Sequence, residues 1–217
     1  MNTSKNTFHQ ISKKIRNADY YLKRVLDYSI ASFLVVTFIP LFITIAIAIK
    51  LDSPGKVFFR QTRVGINGKH FQIWKFRTMK NNSEQLQKEL EKLNEIEGGI
   101  IFKMKKDPRI TKVGKFLRNY SLDEIPQLFN ILTGDMSLIG PRPLPLRDIE
   151  KMDSSLDIRH CLLPGISGLS QVNGRSQNSS YEFFYWDEVY VKQWSIWLDL
   201  RIFMMTIPAI LTKKGAF

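Results

Sequence analysis

Residues 28–49 read YSIASFLVVTFIPLFITIAIAI, a run of 22 positions without a charged side chain and with Pro40 in its middle. As one straight helix the run would extend about 33 Å, enough to cross a hydrocarbon core. It lies too far from the terminus and is too long for a signal peptide, and no small-residue cleavage site follows it. Pro40 removes one backbone donor and clashes with the preceding turn. Membrane helices tolerate such a proline, so Pro40 alone does not separate a kinked span from a break. The flanks carry more information. Upstream stand Lys5, Lys13, Lys14, Arg16, Lys23 and Arg24, opposed only by Asp19 and Asp27; downstream stand Lys50, Lys56, Arg60, Arg63, Lys69, Lys75 and Arg77, opposed only by Asp52. Basic flanks prefer the cytoplasm, and a spanning helix would leave one of these two outside. A helix that breaks at Pro40 and returns keeps both inside, against anionic headgroups. The expectation is therefore a basic tail over 1–20, a re-entrant membrane helix-break-helix over 21–52, and a cytoplasmic domain over 53–217.

Composition agrees with a folded chain of that plan. The 217 residues are 44% hydrophobic, enough for a core, and carry 32 basic against 20 acidic side chains, a formal charge of +12. That excess suggests a polyanionic partner: nucleic acid, an anionic leaflet or a phosphate-rich substrate. Cys161 is the only cysteine, so no internal disulfide is possible, and His9, His70 and His160 are too dispersed to form a zinc spacing. A phosphate-binding P-loop, a dinucleotide fingerprint and an Asp-x-Asp pair are all missing.

Beyond the apolar run, Asp52-Ser53-Pro54-Gly55 marks a turn. Two β-like runs, Val57-Phe58-Phe59 and Phe71-Gln72-Ile73-Trp74, flank Gly65-Ile66-Asn67-Gly68 and predict a short hairpin. Helical spacing of Leu86, Leu90, Leu93 and Ile96 predicts a helix from Ser83 to Glu97, closed by Gly98-Gly99. A basic amphipathic helix is expected over Thr111 to Asn119, suited to a membrane surface, and another from Ser121 to Leu132. Three prolines exclude regular helix from Ile139 to Pro145. Loops follow at Pro164–Gly168 and Asn173-Gly174-Arg175, then an aromatic stretch and an apolar helix from Ile196 to Leu211. The fold class expected is α+β and mostly helical, with a short β-hairpin and interfacial amphipathic helices.

The adjacent carboxylates Asp123 and Glu124 are the candidate centre. Ser121-x-x-Glu124 also fits a capping box, which would make the pair no more than a helix start. Arg118 five residues before it, and Arg142 between Pro141 and Pro143 after it, favour phosphate chemistry instead. An aspartate attacking a pyrophosphate is an anion approaching an anion and needs positive charge nearby. Mg²⁺ suits such a site: Glu124 would hold it while Asp123 attacks and arginines stabilise the transferring group. Arg175 reads either as a phosphate ligand or as a surface turn residue, and Lys75-Phe76-Arg77 reads more readily as a solvated strand face.

Together these residues resemble the bacterial sugar transferases, the monotopic phosphoglycosyl transferases. The stretches that carry the likeness are LDSPGKVFFRQTRVG (51–65), FQIWKFRTM (71–79), DPRITKVGKFLRNYSLDEIPQLFNILTGDMSLIGPRP (107–143), LLPGISGLSQVNGR (162–175) and DEVYVKQWSIWLDLRI (187–202), in family order. The resemblance implies that Asp123 attacks the sugar-bearing phosphate of a UDP-sugar, releasing UMP, and that undecaprenyl phosphate then takes the phosphosugar. It implies substrate contacts from Arg118, Arg142, Arg175 and Asp187, and membrane anchoring by Lys23, Arg24 and Pro40. It also implies a bacterial inner-membrane location with the catalytic domain in the cytoplasm, beside anionic lipids, initiating a surface glycan. A homo-oligomer is compatible with all of this. Ile39 departs from the serine that many relatives place before the break, leaving Thr37 as a substitute hydroxyl. The chain reads as the minimal catalytic form. Three other readings stand beside it: a membrane-tethered nucleic-acid binder, for which no module motif appears; a non-enzymatic scaffold for glycan assembly; and a direct glycosyltransferase, which lacks its metal pair.

Overall fold

The computed structural model describes residues 18–81, 83, 104, 107–152, 154–173 and 179–211. The basic tail up to residue 17, nearly all of the helix expected over Ser83 to Glu97, and Arg175 lie outside the described residues.

Helix α1 (Ala18–Thr37) and helix α2 (Ile39–Asp52) meet at Phe38. Pro40 falls in the first turn of α2, where a missing N–H leaves no helical bond unmade. Thr37, in the last turn of α1, donates its hydroxyl to the Phe33 carbonyl at 2.8 Å, a local bond of the kind expected next to a break. No single helix among the described residues is long and apolar enough to cross a membrane, whereas α1 and α2 pass that test together, bent by 60°. Phe33, Val36, Ile39, Ile43, Ile47 and Leu51 are exposed along them.

The expected hairpin is present and longer than its β-like runs. Strand β1 (Phe58–Val64) pairs antiparallel with β2 (His70–Phe76), with Phe58 opposite Phe76 and Val64 opposite His70. Alternation places Phe71 and Ile73 in a core with Ala31, Leu128, Ile131 and Met136, which seats α1 on the hairpin. Helix α3 (Lys112–Asn119) is capped by Thr111, whose hydroxyl accepts from the Gly114 N–H at 2.9 Å. Its Leu117 packs with Phe76, Ile45 and Ile49, joining the hairpin to α2.

The helix expected from Ser121 to Leu132 is instead a 3₁₀ turn, Leu122–Gln127, followed by the short α4 (Leu128–Leu132). Ser121 adopts a left-handed conformation (φ 55°, ψ 21°) and its side chain makes no capping bond, so the capping box does not form there. One forms further on, where Ser179 and Glu182 cap α7 (Ser180–Gln193) reciprocally. Strand β3 (Ser137–Ile139) leads through α5 (Leu146–Ile149) and a 3₁₀ segment (Ser154–Cys161) to β4 (Gly165–Ser167), which pairs parallel with β3. The backbones touch here: a Cβ on Gly140 would sit 2.2 Å from the Leu163 carbonyl oxygen, and one on Gly165 2.1 Å from the Gly140 nitrogen. Only glycine permits that approach. Helices α6 (Leu169–Val172), α7 and α8 (Ile196–Leu211) complete the chain, with Tyr190, Val191, Trp194 and Ile202 packed on Ile139 and Leu162. Among the described residues the class is α+β and mostly helical.

Candidate active site

The 3₁₀ turn holding Asp123 and Glu124 lies across β2, and Asn130 of the α4 that continues it fastens that helix to the strand. Its side chain accepts from the Trp74 N–H at 2.9 Å and donates to the Gln72 carbonyl at 2.8 Å, standing in for a neighbouring strand. Because Phe71 and Ile73 face inward, period-two alternation turns Lys75 inward too. Its ammonium donates to Glu124 Oε1 at 2.6 Å and lies 3.8 Å from Asp123 Oδ2. The solvated strand face expected at residues 75–77 is thereby corrected: Lys75 turns inward to pair with the two carboxylates, and Arg77 is buried. An inward lysine between apolar strand positions was the signal available in the sequence.

Arg142 reaches Glu124 from the opposite side. It forms a forked pair, Nη2 to Oε1 at 2.7 Å and Nη1 to Oε2 at 3.3 Å, while keeping 37% of its side chain exposed. The two carboxylates thus differ sharply. Burial would push the Glu124 carboxyl up, but Arg142 and Lys75 outweigh it by charge and hydrogen bond and hold it well below the usual carboxylate range. Asp123 is 8% exposed and accepts no hydrogen bond among the described residues. Burial pushes its carboxyl up, the Glu124 charge adds to that, and Lys75 and Arg118 pull against it. The two charges titrate as a pair, with the proton going preferentially to Asp123. Burial likewise lowers Lys75 against the pull of both carboxylates.

Arg118, on α3, donates Nε to Thr78 Oγ1 at 2.9 Å and acts on Asp123 by charge. Asp187, expected among the substrate contacts, is placed differently. It is 1% exposed, with its oxygens taken by Ser170 at 2.9 Å and Arg159 at 2.6 Å. Arg159 also donates to the Arg142 carbonyl, so Asp187 reaches the site through Arg159 and supports the Arg142 backbone rather than touching a ligand. Sequence reasoning missed Arg159. It is 3% exposed, with Phe183 and Phe184 rings 5.6 and 5.4 Å from its guanidinium and with Nε and Nη1 unpartnered among the described residues. Arg63, also missed, donates to the Pro143 carbonyl at 3.1 Å and is pushed down to about 10 by burial and by Arg142.

The expected anchoring pair faces protein. Lys23 is 4% exposed and donates to Asp199 at 2.7 Å and to the Ile139 carbonyl at 2.8 Å. Arg24 bonds Asp27 at 2.9 Å and the Met136 carbonyl at 2.9 Å. Both bolt α1 to the domain, because a basic side chain enclosed by carboxylate and carbonyl groups cannot reach a headgroup.

No group of three or more His, Cys, Asp or Glu side chains gathers as a metal site among the described residues. Two carboxylates completed by substrate phosphates are nonetheless the donor set Mg²⁺ prefers. Glu124 spends Oε1 on two N–H donors and retains capacity on Oε2, and Asp123 retains all of its own.

The model of a family described as bacterial sugar transferase matches residues 18–213. The UDP-glucose:undecaprenyl-phosphate glucose-1-phosphate transferase of Escherichia coli is 38% identical over 90% of this chain and 41% of its own length. The undecaprenyl-phosphate galactose phosphotransferase of Salmonella typhimurium is 38% identical over 93% of this chain and 43% of its own. The exopolysaccharide production protein ExoY of Rhizobium meliloti is 38% identical over 90% of this chain and 88% of its own. The chain spans about two-fifths of the length of the first two and nearly all of the third.

Proposed function

Starting from the fact that this chain belongs to the bacterial sugar transferase family, we propose that it moves a sugar 1-phosphate from a UDP-sugar onto undecaprenyl phosphate, with Asp123 as the nucleophile. The observation that carries the proposal is the asymmetry of the dyad. Glu124 is held by Lys75 and Arg142, whereas Asp123, similarly enclosed, accepts no hydrogen bond among the described residues and lies amid the charges of Lys75, Arg118 and Arg142. A carboxylate kept short of partners is available to attack.

Asp123 adds through one oxygen to the sugar-bearing phosphorus. The bond from that phosphorus to the bridging oxygen breaks, and UMP leaves with the electron pair. The product on the enzyme is an aspartyl phosphosugar, a mixed anhydride. A phosphate oxygen of undecaprenyl phosphate then attacks the same phosphorus, returns the carboxylate and forms the polyprenyl diphosphate sugar. Neither displacement requires a proton. Arg118, Arg142 and Lys75 offset the charge gathering on the transferring group. Glu124, beside Asp123, would hold Mg²⁺, which supplies further neutralisation of the diphosphate. Arg175 remains proposed as a nucleotide or phosphate contact.

The same reading extends to topology. Both ends of the helix pair pack on one folded body: Lys23, Arg24 and Asp27 of α1 against β3 and α8, and Ile45 and Ile49 of α2 against Phe76 and Leu117. A pair fastened at both ends to the same body dips into a leaflet and returns, which supports the re-entrant hairpin and a cytoplasmic domain at the bacterial inner membrane. The exposed Trp197, Leu200, Phe203, Met204 and Ile207 of α8, with Phe116 of α3, suit contact with that surface.

The test uses purified full chain in lipid with a panel of UDP-sugars and undecaprenyl phosphate, reading UMP release, and mass spectrometry of enzyme quenched without acceptor. One UDP-sugar is expected to release UMP and leave a phosphosugar on Asp123. An adduct elsewhere, or UMP release undiminished by Asp123→Asn, sinks the covalent mechanism; a scaffold would release no UMP with any UDP-sugar.

A further inference from the structure

The exit of the helix pair is fastened to the dyad by contacts that the transfer chemistry does not use. The carbonyls of the last turn of a helix have no partner within it. Arg77, which follows β2 and is 8% exposed, forks into carbonyls at the end of α2 and just beyond it. Its Nη2 donates to the Ser53 carbonyl at 2.7 Å and the Ile49 carbonyl at 3.5 Å, and its Nη1 to the Pro54 carbonyl. Asn81 adds a bond to the Pro54 carbonyl at 3.2 Å. A second fastening runs in parallel: Asp52, the last residue of α2, accepts from the Val113 N–H at 3.1 Å in the first turn of α3.

Both fastenings lead directly to the reacting groups. Thr78 follows Arg77, takes the Thr111 N–H on its carbonyl at 3.0 Å and orients Arg118 through its hydroxyl at 2.9 Å. A Cβ on Gly114 would lie 2.1 Å from the Thr78 carbonyl oxygen, so α3 and this segment meet backbone to backbone with no slack. Lys75 lies two residues before Arg77, next to the end of β2. The angle at which α2 leaves the domain is therefore tied to the position of Arg118 and Lys75.

We propose that Arg77 and Asp52 are positioning residues that hold the dyad at a set height above the lipid surface, and so serve delivery of the lipid-borne acceptor rather than of the nucleotide sugar. This rests on the reading of function given above. A UDP-sugar arrives through water and meets the dyad at any height. The phosphate of a polyprenyl acceptor is confined to the headgroup level, so a tilt of the domain displaces it from the dyad. Misplacement by about 1 Å can cost on the order of a hundredfold in rate. A guanidinium suits the task because its planar fork spans several carbonyls at once, which the point charge of a lysine does not.

The experiment measures both substrates with full chain in vesicles containing anionic lipid, for wild type, Arg77→Lys, Asp52→Leu and Asp52→Asn. Arg77→Lys and Asp52→Leu are expected to raise KM for undecaprenyl phosphate about tenfold while changing KM for the UDP-sugar less than about twofold. Asp52→Asn, which keeps an oxygen to accept the Val113 N–H, should stay near wild type. With a short-chain prenyl phosphate free in water, the acceptor defect should vanish, which a general loss of structure would not allow. Equal rises in both KM values, or a defect that persists with the water-soluble acceptor, would overturn the inference while leaving the transferase reading intact. Absence of UMP release from the wild type with every UDP-sugar would overturn that reading and the inference with it.

Discussion

Among the described residues, two buried lysine–carboxylate sites are similarly shielded from water and differently completed. At the root of α1, Asp199 accepts from Lys23 at 2.7 Å, Tyr190 at 2.7 Å and Trp194 at 3.2 Å, and its side chain is 9% exposed. At the dyad, Asp123 has an 11% exposed side chain, and its nearest cation, Lys75, stands at 3.8 Å, beyond hydrogen-bonding reach. Among the described residues, similar burial with three donors in one case and none in the other separates a carboxylate that serves the fold from the one proposed to react. A saturated site stabilises the fold; a site left short of partners stores free energy that a substrate can release.

The largest effect follows from removing the unsatisfied charge. Asp123→Asn should lower UMP release by about four orders of magnitude or more, as expected when a nucleophile is lost. The same change should raise the melting temperature at neutral pH. The Asp123 carboxyl is raised by burial, so the fold binds that proton more tightly than the unfolded chain does. Its contribution to stability is therefore favourable at low pH and is lost as pH rises through the folded pKa. Asparagine removes that loss. A lower melting temperature by calorimetry would mean that Asp123 is as well satisfied as Asp199, and the contrast would collapse.

The opposite outcome is expected at the other site. Asp199→Asn leaves the Lys23 ammonium enclosed without a counter-charge, which should destabilise by about 3–5 kcal/mol. Denaturant titration measures this, and activity per folded molecule should be retained. Loss of activity from protein that melts normally would show that the root of α1 takes part in catalysis.

Lys75→Met comes next. It removes one of three cations around the reacting group and should lower kcat/KM by about a hundredfold, near 2.7 kcal/mol. The sign of the pH effect follows from geometry. Lys75 pulls the Asp123 carboxyl down, so its loss lets burial and the Glu124 charge push that carboxyl further up. Activity needs the ionised form, so the acid limb of the kcat/KM profile should move to higher pH. A limb that stays in place would assign it to some group other than Asp123.

Much of this contrast was legible from residue patterns, and the rest was not for identifiable reasons. The apolar run with Pro40 and the hairpin follow from local periodicity and turn chemistry, which act over a few residues, whereas Asp123 and Glu124 with Arg118 and Arg142 were singled out by adjacent carboxylates near arginines and by the family resemblance. Lys75 was underrated because its inward direction depends on which face of β2 the domain covers, a tertiary fact. Lys23 matched a basic pair beside an apolar run, yet its partner Asp199 lies 176 positions away, and pattern reading has no means of pairing them. Arg159 and Asp187 are likewise joined only by the fold, 28 positions apart. The two Ser-x-x-Glu sequences show the same limit. The one at Ser179 caps a helix, whereas the one at Ser121 is prevented by a left-handed backbone that starts the turn bearing the dyad.

The finest test of the contrast removes a single donor from the saturated site. The Tyr190 hydroxyl lies 2.7 Å from Asp199 Oδ1 and 3.1 Å from the Ile139 carbonyl, and with one proton it can donate to only one of them at a time. Burial, reinforced by the Asp199 charge, pushes its phenol well above the ordinary value, so it remains a neutral donor throughout the pH range of any assay. Tyr190→Phe keeps the ring in its core with Ile139 and Leu162 and leaves Asp199 held by Lys23 and Trp194. The expected loss is about 1–2 kcal/mol of stability, independent of pH across the neutral range, with activity unchanged. If Asp199 owed its stability to Lys23 alone, the loss would be near zero, and the number of donors would no longer be what distinguishes it from Asp123.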